Sequence, residues 1–204
     1  MKKILLTSLL AMVAVASFGQ GLISIGNGIT ATRFPIYGPQ LADPSVQVVG
    51  NGPLSAPTGS TVFTGGLLSG TRYAIEFWAG PASATDFSGL TLITTTTFRT
   101  GATATALPNG ITTAIGGSVP GVGADQQARL GVRVWDTLSG ATYANAGVRG
   151  QSPTLFLSAP LGGGLTTPPN WVGQSFSLTA VPEPSSMALA GIGAAALMIF
   201  RRRK

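Results

Sequence analysis

The sequence is poor in groups that do chemistry. None of its 204 residues is cysteine or histidine, and the only lysines are Lys2, Lys3 and Lys204. Ser–His, Cys–His and Ser–Lys nucleophile arrangements are therefore excluded from the middle of the chain, as is ordinary zinc or copper ligation. Proton transfer between residues 17 and 180 would fall to Asp43, Glu76, Asp86, Asp125 and Asp136, or to a tyrosine. Paired carboxylates can hydrolyse glycosides, but these five are scattered. Simpler roles are expected: Asp43 caps a turn before Pro44, Asp125 and Asp136 sit in loops, and Glu76 pairs with an arginine. No Asp-x-Asp-x-Asp-Gly loop suggests calcium. The run Gly162-Gly163-Gly164 lacks the lysine and the strand-to-helix setting of a phosphate loop. The expectation is a domain with no catalytic residue, no metal and no cofactor.

One spacing invites a binding role. Arg72 precedes Trp78 by the same six residues that separate Arg129 from Trp135. An aromatic and cationic surface can stack on sugar rings, so Trp78 and Trp135 are the candidate carbohydrate contacts. The plainer alternative is that each tryptophan packs under a loop and each arginine is solvated.

These residues lie on alternating segments. In Thr71–Ala79, Tyr73, Ile75 and Phe77 point one way and Arg72, Ala74, Glu76 and Trp78 the other. Ala128–Asp136 repeats this, with Leu130, Val132 and Val134 on its apolar face. Period two is the signature of a strand with one face on a core. Further strands are expected at Leu22–Ile25, Ser45–Val49, Thr61–Thr64, Leu90–Arg99, Ile111–Ile115, Thr154–Ser158 and Gln174–Thr179. Asn27-Gly28, Asn51-Gly52, Asn109-Gly110, Gly80-Pro81, Pro120-Gly121 and Ser139-Gly140 supply turn signals between them. The expected fold is all-β: one antiparallel β-sandwich, jelly-roll-like, over residues 20–180.

The two ends differ in kind from this middle. All four methionines lie in them. Met1-Lys2-Lys3 and the apolar run Ile4–Ala16 read as a signal peptide over residues 1–19. Ala14-Val15-Ala16 and Ser17-Phe18-Gly19 each offer a small-x-small cleavage site, so the mature chain is expected to start at Ser17 or Gln20. Signal peptidase and the export machinery are the implied partners. The net charge of +6 is a sum of terminal signals. Between residues 17 and 180, six arginines against five carboxylates leave +1. Such a domain has no footprint for a phosphate backbone, and no nucleic-acid partner is expected.

Residues 181–204 form a third unit. Val181-Pro182-Glu183-Pro184 cannot continue a helix and stays open to an enzyme. Met187–Phe200 is apolar or glycine throughout and suits a single hydrophobic helix in lipid. Arg201, Arg202, Arg203 and Lys204 form a basic stop that stays cytoplasmic. This order of parts resembles the PEP-CTERM sorting tail, with the tripeptide at Pro182, Glu183 and Pro184. The resemblance implies a membrane-bound, cysteine-protease-like exosortase as processing partner. It also implies transient anchoring in an inner membrane, and a destination at the cell surface or in extracellular polymeric material. The middle is loosely similar, around Tyr73–Pro81 and Val132–Asp136, to ectodomains that precede such tails. Two functions are carried forward: a non-enzymatic surface or matrix protein, or a carbohydrate-binding module (less readily a glycoside hydrolase) acting on extracellular polysaccharide.

Overall fold

A computed structural model describes residues 20–101, 109–163 and 166–181, together with Ile192. The expected signal peptide, with Ala14, Ala16 and Gly19, lies outside the described residues. So do Pro182, Glu183, Pro184 and Arg201–Lys204, and all of the run 187–200 but Ile192. Among the described residues no helix is long and apolar enough to cross a membrane.

Eight strands form: β1 (Gln20–Ile25), β2 (Tyr73–Pro81), β3 (Thr91–Thr97), β4 (Ile115–Gly123), β5 (Ala128–Asp136), β6 (Val148–Gln151), β7 (Phe156–Leu157) and β8 (Thr179–Ala180). The ladders between them are antiparallel. One sheet runs β3-β2-β5-β6-β8, with β7 also on β5; the other is the pair β1-β4. The described residues are thus mostly β, in antiparallel sheets, as the alternation predicts.

The long central ladder is β2 on β5, in register from Tyr73 opposite Asp136 to Pro81 opposite Ala128. Ile75, Phe77, Leu130, Val132 and Val134 are buried as expected, whereas Tyr73 is only partly covered. Tyr73 ends the ladder, where fewer neighbours reach it. Ile23 and Ile25 of β1 and Val119 and Val122 of β4 belong to the same core. Trp171, fully buried, meets Phe77 edge-on at 5.1 Å and 80°.

The remaining expected strands are mostly coil. Of Ser45–Val49 only Val49 bridges, to Phe176; Thr61–Thr64 has no ladder; Ile111–Ile115 contributes only Ile115. Buried coil must still satisfy its backbone groups. Asn27, read as a turn residue, does this instead: it is fully buried and ties three segments. Its Nδ2 donates to Phe34 O at 3.1 Å and Gly110 O at 2.8 Å, and its Oδ1 accepts from Thr112 N–H at 2.8 Å.

Two turn signals proved to lie within strands. Gly80-Pro81 ends β2, where Pro81 pairs with Ala128. Pro120-Gly121 forms an irregularity in β4: Gln20 pairs with Gly123 but Gly21 pairs with Val119, and Gly121 has φ 74°. A bulge uses the same left-handed glycine as a turn, so the sequence signal does not separate the two.

Candidate functional site

The outer face of the six-stranded sheet carries the singled-out residues. Arg129, Gly131, Arg133 and Trp135 alternate along it on β5. Cross-strand from them on β2 lie Gly80, Trp78, Glu76 and Ala74. Six residues of strand separate Arg72 from Trp78, roughly 20 Å at about 3.3 Å each. The shared spacing therefore brings neither arginine to its tryptophan.

The cation that meets Trp78 is Arg133. Its guanidinium lies 5.0 Å from the Trp78 ring centre, 4.3 Å from Phe87 and 5.0 Å from Tyr143. Its Nε donates to Gln151 Oε1 at 3.3 Å, and the Tyr143 hydroxyl donates to the same oxygen at 3.3 Å. Trp78 donates its indole N–H to Glu76 Oε2 at 2.9 Å and meets Phe87 edge-on at 6.3 Å. Glu76 thus holds an indole N–H, where an arginine was expected.

Phe87 reaches this cluster because of its neighbours. Asp86 caps the single 3-10 turn Phe87–Gly89: its Oδ1 accepts from Ser88 N–H at 2.8 Å and Ser88 Oγ–H at 2.6 Å. These hydrogen bonds, the hydroxyl's above all, hold the Asp86 carboxyl below its ordinary pKa. The turn lays the Phe87 ring over Gly131, where a Cβ would come within 2.8 Å of two ring atoms. Asp43-Pro44-Ser45 repeats the Asp-x-Ser device, Oδ1 accepting at 2.9 Å and 2.6 Å, which agrees with the turn role expected of Asp43.

Trp135 is 5% exposed. The loop 137–147 covers it, bringing Ala146 and Tyr143 against the indole and Ala74. Arg149 fixes that loop by donating from Nη1 to Tyr143 O at 2.9 Å and to Ala144 O. Burial raises the Tyr143 pKa against the lowering effect of Arg133 and Arg149. Trp135 therefore presents no ring face to solvent, and Trp78 offers only what Arg133 and Phe87 leave uncovered.

Asp136 was expected in a loop and instead ends β5, buried. Its Oδ2 accepts from Arg72 Nη2 at 2.6 Å and Nε at 3.0 Å, and its Oδ1 from Leu138 N–H at 3.0 Å. Burial pushes its pKa up. The hydrogen bonds from Arg72 and Leu138, with the guanidinium charge, outweigh that and hold the carboxyl below its ordinary value. Asp125 sits at φ 62° in the turn between β4 and β5. Among the described residues no three acidic side chains converge as a metal site would require.

A cleft of about 550 Å³ opens beside Phe87, between the loop 82–87 and the segment 151–155. Arg129 ties its two walls, donating from Nε to Ala82 O at 3.1 Å and from Nη1 to Leu155 O at 3.2 Å. Sequence reasoning passed over Phe87, Gln151 and this use of Arg129. The Asp86-x-Ser88 turn was the local signal that could have drawn attention to Phe87.

At the far edge of the sheet, Val181 donates its N–H to Gly147 O at 2.6 Å. The tail leaves the domain there with no spacer before Pro182. No solved structure and no curated sequence shows significant similarity to the chain. Residues 180–204 match the PEP-CTERM protein-sorting motif, with residues 1–179 outside the match; a tail of this kind supports sorting after export, with an exosortase as the implied processing partner.

Proposed function

We propose that the protein is a non-enzymatic component of the cell surface or extracellular matrix, held briefly in the inner membrane and released by an exosortase acting near Pro182-Glu183-Pro184. The observation that carries this reading is the motif over residues 180–204. Length supports a transient hold. The fourteen residues 187–200 would span roughly 21 Å as a helix at about 1.5 Å each, against a hydrocarbon core of about 30 Å. The four terminal bases keep that end cytoplasmic while export proceeds.

The non-enzymatic part rests on residue supply. With no histidine or cysteine in the sequence, catalysis would fall to a carboxylate or a tyrosine. Four of the domain's five carboxylates are engaged: Asp43 and Asp86 each hold a serine, Asp136 holds Arg72, and Glu76 holds the Trp78 indole; the fifth, Asp125, stands in the turn between β4 and β5. A scaffold that acts by binding needs no free acid. In this reading the ectodomain is a β-sandwich in the loose sense: β1, β4 and the bridged coil form a second layer over β2 and β5. The shared core of Ile25, Val119, Phe77 and Val132 supports that arrangement.

Intact mass of the protein recovered from the extracellular fraction tests the proposal. The expected species starts at Ser17 or Gln20 and lacks residues 187–200. Recovery of a species that retains Arg201–Lys204 outside the cell refutes processing and leaves a plain anchor.

A further inference from the structure

The carbohydrate reading of the sequence rested on Trp78 and Trp135, and neither is free. The cleft beside Phe87 is a different place on the same face. Its volume of about 550 Å³ lies in the range of small-ligand sites, about 300–1,000 Å³. It is a built feature, because the Arg129 guanidinium fastens both walls to one strand.

The chemistry of its lining narrows the ligand. Arg129 and Asp86 bring one positive and one negative charge. Arg129 already spends two donors on carbonyls, and Asp86 would repel a phosphate or carboxylate. A single carboxylate is too few for a divalent cation, which wants several oxygen ligands. The other polar groups are neutral: the exposed Ser83, Thr85 and Thr154, the buried Ser152, whose Oγ accepts from Val132 N–H, and the amide of Gln151. Gln151 Oε1 is occupied by Arg133 and Tyr143, while its Nε2 has no partner among the described residues. Phe87 and Pro153 supply apolar surface next to these groups. An apolar patch beside neutral donors and acceptors suits a ring with C–H groups on its faces and hydroxyls around its edge.

We propose that this cleft is a binding site for a neutral sugar unit of an extracellular polysaccharide, with exposed Pro153 and the part of Phe87 that Arg133 and Gly131 leave uncovered as apolar surface, and Gln151 Nε2, Thr85 and Thr154 as hydrogen-bonding partners. The proposal goes beyond the sorting reading and does not depend on it. Removal of the tail can fail while the cleft binds, and the reverse.

Titration of the full-length chain in detergent tests it, with maltose, cellobiose and chitobiose as neutral probes and digalacturonate and inorganic phosphate as anionic ones. Tryptophan emission is the readout, since Trp78 touches Phe87. At least one neutral disaccharide should saturate, and the anions should not. Thr154→Met crowds the cleft from an exposed position without adding a ring or a fluorophore, and should abolish the response. Gln151→Glu keeps the acceptor used by Arg133 and Tyr143 but loses the free amide donor, and should weaken binding about five- to tenfold, the size of one hydrogen bond. Circular dichroism of both variants checks that the fold is kept. Absence of saturation by every neutral probe overturns the proposal. So does undiminished binding by Thr154→Met, or preference for an anionic probe.

Discussion

Replacing Gly131 by alanine probes the packing that places Phe87, and its cost can be worked from distances. The new methyl would stand 2.8 Å from Phe87 Cε1 and Cζ and 2.9 Å from Leu155 Cδ2. Ordinary contact begins near 3.4 Å, so the ring must withdraw by about 0.6 Å. That movement loosens Phe87 against Trp78 and Arg133. Inserting a methyl into a packed site costs about 1–3 kcal/mol. Against it stands about 0.4–1 kcal/mol gained from a stiffer unfolded chain when glycine becomes alanine. The net expectation is destabilisation of about 1–2 kcal/mol, read from urea unfolding followed by tryptophan emission, with the slope unchanged. The decisive arm is Phe87→Ala. In that background only the flexible Leu155 Cδ2 at 2.9 Å must give way, and the cost of Gly131→Ala should fall to about zero. Equal cost in both backgrounds would refute the claim that the Phe87 ring lies over Gly131.

Other expectations follow from the same structure. The Asp136 carboxyl is held below its ordinary pKa, so its contribution is present above about pH 4 and is lost as pH falls through the folded value. Asp136→Asn should therefore cost about 1–2 kcal/mol at neutral pH, with Arg72 half in solvent, and the gap should close below about pH 4 in unfolding midpoints. A gap constant down to pH 2 would count against the ion pair. Val132→Asp places an unpaired charge on the buried face of β5, in the shared core, costs several kcal/mol, and should leave no cooperative transition; a cooperative transition near the wild-type midpoint would contradict the core assignment. Neutral residues in place of Arg201–Lys204 should weaken membrane retention of the uncleaved precursor, measured by fractionation; unchanged retention and processing would remove the basic end from the mechanism.

The sequence by itself determined the address and the chemical limits. Pro182-Glu183-Pro184, the apolar run and the terminal bases are contiguous, so the sorting motif is legible without a fold. Absence of histidine and cysteine is a property of composition and holds whatever the chain does in space. The two strands of the central ladder were also legible, because Thr71–Ala79 and Ala128–Asp136 alternate and pack one face on a single core. Tertiary structure decided the rest. Whether an outer-face tryptophan meets solvent depends on a loop: the loop 137–147 buries Trp135, and no spacing along β5 announces that. Arg133 reaches Trp78 only through antiparallel register, which pairs it with Glu76 and so sets it diagonally beside Trp78, while the matched Arg72 and Arg129 go to Asp136 and to two carbonyls. Coil stands where strands were expected at residues 45–48, 61–64 and 111–114, with backbone groups met from other segments: Val48 by Ser177, Thr61 and Thr64 by Asn51 and Gln40, Thr112 by Asn27. Local propensity reads only neighbours in sequence, whereas the hydrogen bonds of Val48 and Thr112 span more than 80 residues.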